Sequence, residues 1–253
     1  MKKIILSSLI ILSSINLHAI ERISGLKDET TKSMFIKGEI YFDKPISTST
    51  KTIVFPEFNI DNTYSDEFYG AYIELEHEFY LLPFFKFEMS SYQFQNYNTV
   101  SKESSTPGLF ENIRYYSFMS TEEKNITAYW EILQGNDMQF NLGGQYKMIT
   151  GAIEYENTTV GTGNFLTFEK YLPMVYMRAD AQFAKGIELT DELSIGIDTE
   201  EVVFENLFKM TYYTKIGFIG SIGYRYKHQE FIVKGVDMIN NTHGLIIGLG
   251  FKY

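Results

Sequence analysis

The sequence predicts an all-β chain folded as a transmembrane antiparallel up-and-down β-barrel of about ten strands, with eight as the alternative count. Three observations carry that prediction. The first residues read as an export signal, the remainder alternates apolar and polar residues over long stretches, and the last such stretch runs to an aromatic residue, Tyr253.

At the N-terminus, Lys2 and Lys3 precede an apolar run from Ile4 to Leu17, interrupted by small serines and Asn16. The run closes on Leu17-His18-Ala19. A basic start, a short apolar centre and a small final residue predict a signal peptide over residues 1–19, cut after Ala19. The run falls short of the ~20 residues a spanning helix needs. Residues 20–32 are polar, terminal and unpatterned, and are expected to form a flexible segment. Residues 33–253 are left for the barrel.

Composition removes several classes. With 44% hydrophobic, 16% aromatic and only 21% charged residues, the chain is not a disordered tail. Having no cysteine, it has no disulfide framework, thiolate metal site, cysteine nucleophile or lipid-modified cysteine. A formal net charge of -10 argues against a phosphate-backbone binder, so no nucleic-acid partner is expected.

Period-two alternation fills the rest. Met138, Phe140, Leu142, Gly144, Tyr146 and Met148 share one face, opposite Gln139, Asn141, Gly143, Gln145 and Lys147. Val175, Met177, Ala179, Ala181 and Phe183 repeat the pattern, as do Leu245, Ile247, Leu249, Phe251 and Tyr253. A soluble sandwich also alternates, but its strands usually run about 5–6 residues. A tilted strand crossing a bilayer needs about 9–11. The polar faces here carry Gly, Gln, Arg, Asp and Tyr, which suits a wet interior.

On this pattern the expected strands are Met34–Asp43, Glu67–Phe79, Phe84–Gln95, Ile113–Leu133, Asp137–Tyr155, Phe165–Phe183, Leu193–Val203, Leu207–Ile219, Ser221–Lys234 and Thr242–Tyr253. Reading Leu193–Ile219 differently gives the eight-stranded count. An even number places both termini on one side, the periplasmic side of a bacterial outer membrane. Short turns are expected around Tyr80–Pro83, Gln134–Asn136, Ala184–Glu192 and Gly220, with longer polar loops at Lys44–Asp66 and Asn96–Asn112. Pro45, Pro56, Pro83, Pro107 and Pro173 are expected in connections or at strand edges, because proline cannot donate to a ladder.

The inward faces collect charge. Lys37, Glu39, Glu74, Glu76, Glu78, Lys86, Glu88, Glu131, Lys147, Arg178, Asp180, Lys215, Arg225 and Lys227 are predicted to face the lumen. Buried charges persist only when paired, so acids and bases should form a ladder of ion pairs. Eight strands enclose an interior just filled by side chains, whereas 16–18 leave a channel. Ten strands therefore predict a plugged or very narrow lumen, with a small selective pore as the rival. Tyr72, Tyr129 and Tyr176 are expected as lumen filler. Tyr69, Phe79, Phe85, Trp130, Phe183, Tyr224 and Tyr253 are candidates for interfacial girdles.

Catalytic patterns are sparse. His77 is expected on the outward face as an interface residue, His228 high on a strand and His243 in a loop. None has metal-ligand spacing, so no metal or other cofactor is expected. Ser101–Thr106 and Gly161-Thr162-Gly163 read as loop chemistry. Asp61, Asp66, Glu67, Glu103 and Glu111 read as a solvated outer surface.

Two stretches carry resemblances. Ile246-Ile247-Gly248-Leu249-Gly250-Phe251-Lys252-Tyr253 resembles the C-terminal signal by which outer-membrane barrels are recognised for insertion. Gly248, Phe251 and Tyr253 are its expected residues, and the barrel-insertion machinery is the implied partner. Glu74-Leu75-Glu76-His77-Glu78-Phe79-Tyr80-Leu81-Leu82-Pro83, followed by Phe85-Lys86-Phe87-Glu88, resembles a family of small Gram-negative outer-membrane β-barrel proteins of uncharacterised function. Tyr129–Leu133 and Leu172–Tyr176 are similar in order and spacing, while Ser33–Asp43 lacks the tryptophan expected there. The resemblance implies an outer-membrane location and supplies no catalytic residues. The expected function is thus an integral, lipid-embedded barrel without enzymatic activity, in a structural, surface-contact or small-solute passage role. A barrel enzyme acting on lipid or peptide at the rim, and a small selective pore, are the alternatives. The sequence names no extracellular ligand.

Overall fold

The computed structural model describes residues 34–52, 59–61, 69–77, 81–103, 110–135, 137–158, 161–197, 201–233 and 236–253. The expected signal peptide and the segment 20–32 lie outside these residues, as do Glu78, Phe79, Pro56 and Pro107.

Long alternating segments can satisfy their backbone polar groups only against other strands. The described strands are β1 (Met34–Thr52), β2 (Asn59–Asp61), β3 (Tyr69–His77), β4 (Phe84–Glu103), β5 (Phe110–Gln134), β6 (Met138–Asn157), β7 (Thr162–Ala184), β8 (Ile187–Ile197), β9 (Val202–Tyr213), β10 (Phe218–Val233) and β11 (Val236–Lys252). Neighbours in the wall are antiparallel, and β11 pairs back onto β1 to close the cylinder. The short β2 pairs with β1. The closed wall therefore has ten strands, as the sequence predicts. The closing seam reaches Tyr253, whose N–H and C=O exchange hydrogen bonds of 2.9 and 3.0 Å with Ile36.

β1, β4 and β5 run on into the stretches expected as the loops Lys44–Asp66 and Asn96–Asn112, and the expected boundaries fail most in the last third. The turn expected at Gly220 lies at Thr214–Gly217, and Gly220 sits inside β10 opposite Leu249. Gly217 has φ 89°, and a Cβ there would lie 2.6 Å from the Lys252 carbonyl, so the turn needs glycine. β8 begins at Ile187, inside the stretch expected to be a connection. The reason is Asp191, which interrupts the outward apolar series Ile187, Leu189, Leu193 and Ile195 and makes the stretch read as polar. Two prolines lie within strands. Pro45 sits at the β-bulge of β1, and Pro173 lies in β7, paired with Tyr146 of β6 and just beyond the last β8 pair, Val175–Ile195.

The wall is uneven. β4 to β7 run 20, 25, 20 and 23 residues, whereas β8 and β9 run 11 and 12. The outer face is apolar over only part of this height. Met89, Lys124, Met148 and Tyr171 are successive register partners and mark its upper edge. In the next outward-facing row, Ser91, Glu122, Thr150 and Glu169 are polar. Elsewhere on the outer face Ile40, Phe42, Ile73, Phe87, Ile126, Leu142, Val175, Ile222, Ile247 and Leu249 are exposed. On β6 the band runs from Met138 to Met148, which in a tilted strand spans roughly 25 Å, the height of a bilayer-facing band. Trp130, Phe183 and Tyr253 stand near its short-turn edge, with Tyr69 and Tyr224 near the other, as girdles require. Phe85 is half-buried.

The interior reverses this polarity. Within the band the inner face is charged. Above it, Tyr92, Phe94, Met119, Ile149, Ile153 and Phe168 from β4 to β7, joined from just inside the band by Leu172 and Met174, pack against Val203 and Met238 from the opposite wall. Each such side chain contributes about 1.5–3 kcal/mol when buried. Above the band, then, the two walls hold together like the halves of a sandwich around an apolar core.

Candidate functional site

The inward charges converge in tiers across the lumen. At the short-turn end, Lys252 lies 3.6 Å from Glu76, both partly exposed. Glu131 is half-buried on the same rim, opposite Asn141. Next, Lys37 donates to the Tyr213 hydroxyl at 2.8 Å and lies 3.8 Å from Glu188. Arg178 reaches Glu74 at 2.5 Å and Asp180 at 2.8 Å. The Tyr129 hydroxyl donates to Glu74, and Thr190 donates to Asp180.

The middle tier joins walls far apart in sequence. Lys86 of β4 meets Glu192 of β8 at 2.6 Å. Lys209 of β9 meets Glu39 of β1 at 3.3 Å, and Glu39 also accepts from Tyr72 and Ser221. The upper tier places Arg225 2.9 Å from Glu88, with the Tyr41 hydroxyl on the same carboxylate. Lys147 sits between Glu123 and Glu205, 2.6 Å from each, and Lys227 joins Glu123 at 2.7 Å. Lys227 also donates to Tyr92, whose ring belongs to the apolar core above. The charged tiers and the core are thus continuous.

Of the predicted lumen charges, Lys37, Glu39, Glu74, Lys86, Lys147, Arg178, Asp180, Arg225 and Lys227 are buried, and Glu88 is nearly so. Lys215 is not among them. It is exposed in the Thr214–Gly217 turn, because β9 ends at Tyr213 before the inward phase reaches it. Glu78 lies outside the described residues. The prediction omitted Asp43, Glu123, Glu188, Glu192, Glu205 and Lys209. Asp43 and Glu123 follow Glu39 and precede Glu131 at even spacing, so parity could have supplied both. Tyr72, Tyr129 and Tyr176 fill the lumen as expected, at 4%, 1% and 2% exposure.

Gly248 has a role beyond the expected C-terminal pattern. It faces inward, and a Cβ there would stand 2.0 Å from Glu39 Oε1 and 2.5 Å from Ser221 Oγ. Phe251 and Tyr253 face outward. His77 departs from expectation: it is buried, packs edge-on against Phe84 at 5.3 Å and donates from Nε2 to the Pro83 carbonyl, pinning the β3–β4 turn. His228 and His243 sit on the outer face, bonded to Asn241 and to the Tyr224 hydroxyl.

Open spaces of very different size border these tiers among the described residues. An internal cavity of about 30 Å³ among Lys86, Gln145, Tyr176, Glu192 and Arg225 matches the share of one water molecule. A basin of about 680 Å³ opens at the short-turn end, lined by Phe35, Glu188, Tyr213, Phe251 and Lys252, and abuts the tier of Lys37. Chemically, the described side chains pair acids with bases across the lumen and tie the acids to the hydroxyls of Tyr129, Thr190 and Ser221.

No family model and no curated protein matches the chain. Solved structures do. The outer membrane protease OmpT from Escherichia coli is similar over 88% of this chain and 99% of its own, at 10% identity and a TM-score of 0.52. The translocator domain of the autotransporter NalP from Neisseria meningitidis aligns over 98% of both chains at 11% identity, with a TM-score of 0.45. The attachment invasion locus protein Ail of Yersinia pestis aligns over 88% of this chain and 99% of its own at 8% identity, with a TM-score of 0.35. At these identities the first likeness speaks to the fold, a closed barrel of the Gram-negative outer-membrane type.

Proposed function

We propose that the protein is an integral β-barrel of a bacterial outer membrane, with both termini periplasmic, sealed to solutes and without enzymatic activity. Its tall end serves as a surface-contact platform outside the cell. The reading rests on one observation above all: the lumen is filled twice, by cross-wall ion pairs within the apolar band and by the Phe94–Met119–Ile149–Phe168 core above it. A conduit would leave one of these levels open. Both outward histidines are engaged by neighbours, His228 by Asn241 and His243 by Tyr224, which favours a platform over a rim hydrolase.

Two measurements test this. The folded protein should migrate differently on electrophoresis before and after heating, and a detergent-free soluble periplasmic monomer would refute the location. In planar bilayers it should give no stepwise conductance; reproducible single-channel steps would refute the seal.

A further inference from the structure

One row of the wall carries an acid where hydrocarbon belongs. From Lys44, successive register partners are Leu245, Tyr224, Phe208, Asp191, Ala179, Phe140 and Leu133. All share the outward phase. Because strands of such a barrel tilt by about 35–45°, the row descends across the apolar band, from its upper edge at Lys44 to its short-turn edge at Leu133. Asp191 therefore lies near mid-band. Along β8 it is flanked by Leu189 and Leu193, and on β9 by Phe208 and Met210. Its Oδ1 accepts a hydrogen bond from Asn206 Nδ2 at 2.7 Å, and the same amide donates to the Glu192 carbonyl at 3.1 Å. The neighbouring charge that acts on it is another acid, Glu192 on the inner face. An ionisable group facing lipid at this depth is costly and calls for a polar partner from outside the barrel.

We propose that the β8–β9 face is the interface of a homodimer, in which the Asp191–Asn206 pair meets the same pair of a second copy across a two-fold axis along the membrane normal. Such an axis sets every residue against residues of equal depth, so the polar pairs meet each other and the surrounding Leu189, Leu193, Ile195, Phe208 and Met210 form a matching apolar rim. The pair is self-complementary. Asp191 has a second carboxylate oxygen, and each Asn206 amide can turn one N–H from the Glu192 carbonyl to the facing carboxylate, so the cross-copy bonds form reciprocally. The uneven wall also permits the approach. β8 and β9, with 11 and 12 residues, are among the shortest strands of the wall, so the wall is low where two copies would join.

The absence of cysteine makes the test clean. The full-length chain carrying Leu193→Cys, reconstituted in phosphatidylcholine–phosphatidylglycerol vesicles and oxidised, should appear mostly as a disulfide-linked dimer. Ile73→Cys on β3, diametrically opposite in the strand order, should stay monomeric. Adding Asp191→Leu to Leu193→Cys should cut the linked fraction at least tenfold while the folded, heat-modifiable band is kept. Asn206→Leu should act likewise and serves if the first variant does not fold. A monomeric Leu193→Cys protein, equal linking at both positions, or undiminished linking in the leucine variants would each overturn the proposal.

Discussion

Lys86 Nζ lies 2.6 Å from Glu192 Oε2, joining β4 to β8 through the centre of the barrel. Both side chains are buried, and water cannot replace either partner. Glu192→Ala should leave Lys86 with the more distant Glu88, 3.8 Å away, and cost about 3–5 kcal/mol. The double variant Lys86→Met/Glu192→Leu should recover most of that loss, since no charge is stranded. Urea unfolding in micelles, followed by Trp130 fluorescence, measures both.

Gly248 is tested by adding one side chain. Gly248→Val forces carbon into the space held by Glu39 Oε1 and Ser221 Oγ, so the folded, heat-modifiable fraction should fall severely. Gly220→Ala, where nothing lies within 4 Å of the added carbon, should fold as the parent does. Equal behaviour of the two would refute the packing role.

The apolar core above the band should hold the two upper walls together. Phe168→Ala should cost about 3–5 kcal/mol, and Met119→Ala about 2–5 kcal/mol. Limited proteolysis of vesicle-inserted protein should then cut the tall end faster, while the membrane-embedded fragment stays intact. A uniform rise in cleavage would show that the two levels are one cooperative unit.

Trp130, the chain's single tryptophan, is 45% exposed on the outer face near the short-turn edge. Lipids carrying a quencher near the headgroup should quench it more strongly than lipids quenched at the chain ends. The reverse order would move the band along the barrel.

Much of this architecture was legible in the sequence, because a strand's period of two sorts side chains without regard to distant contacts. Ten strands, the tyrosine filler and most of the lumen cations follow from parity alone. What stayed hidden depended on neighbours. Lys215 has the inward phase, but the strand stops two residues earlier at a turn that Gly217 permits. β8 was obscured by Asp191, whose charge imitates a loop. The upper core was missed because Ile149, Ile153 and Phe168 are apolar residues in the phase that, lower down, carries Lys147 and Arg178. Only the height of the lipid band, a property of the assembled wall, shows where that phase should change character.

The reversal of polarity along β4 to β7 also acts as a depth gauge. If the cylinder sank by one outward-facing row, Glu122 and Glu169 would enter oil; if it rose by one, greasy side chains would meet water. Either displacement meets a restoring force from the solvent boundary. The solvent boundary itself thus fixes the depth at which this wall sits.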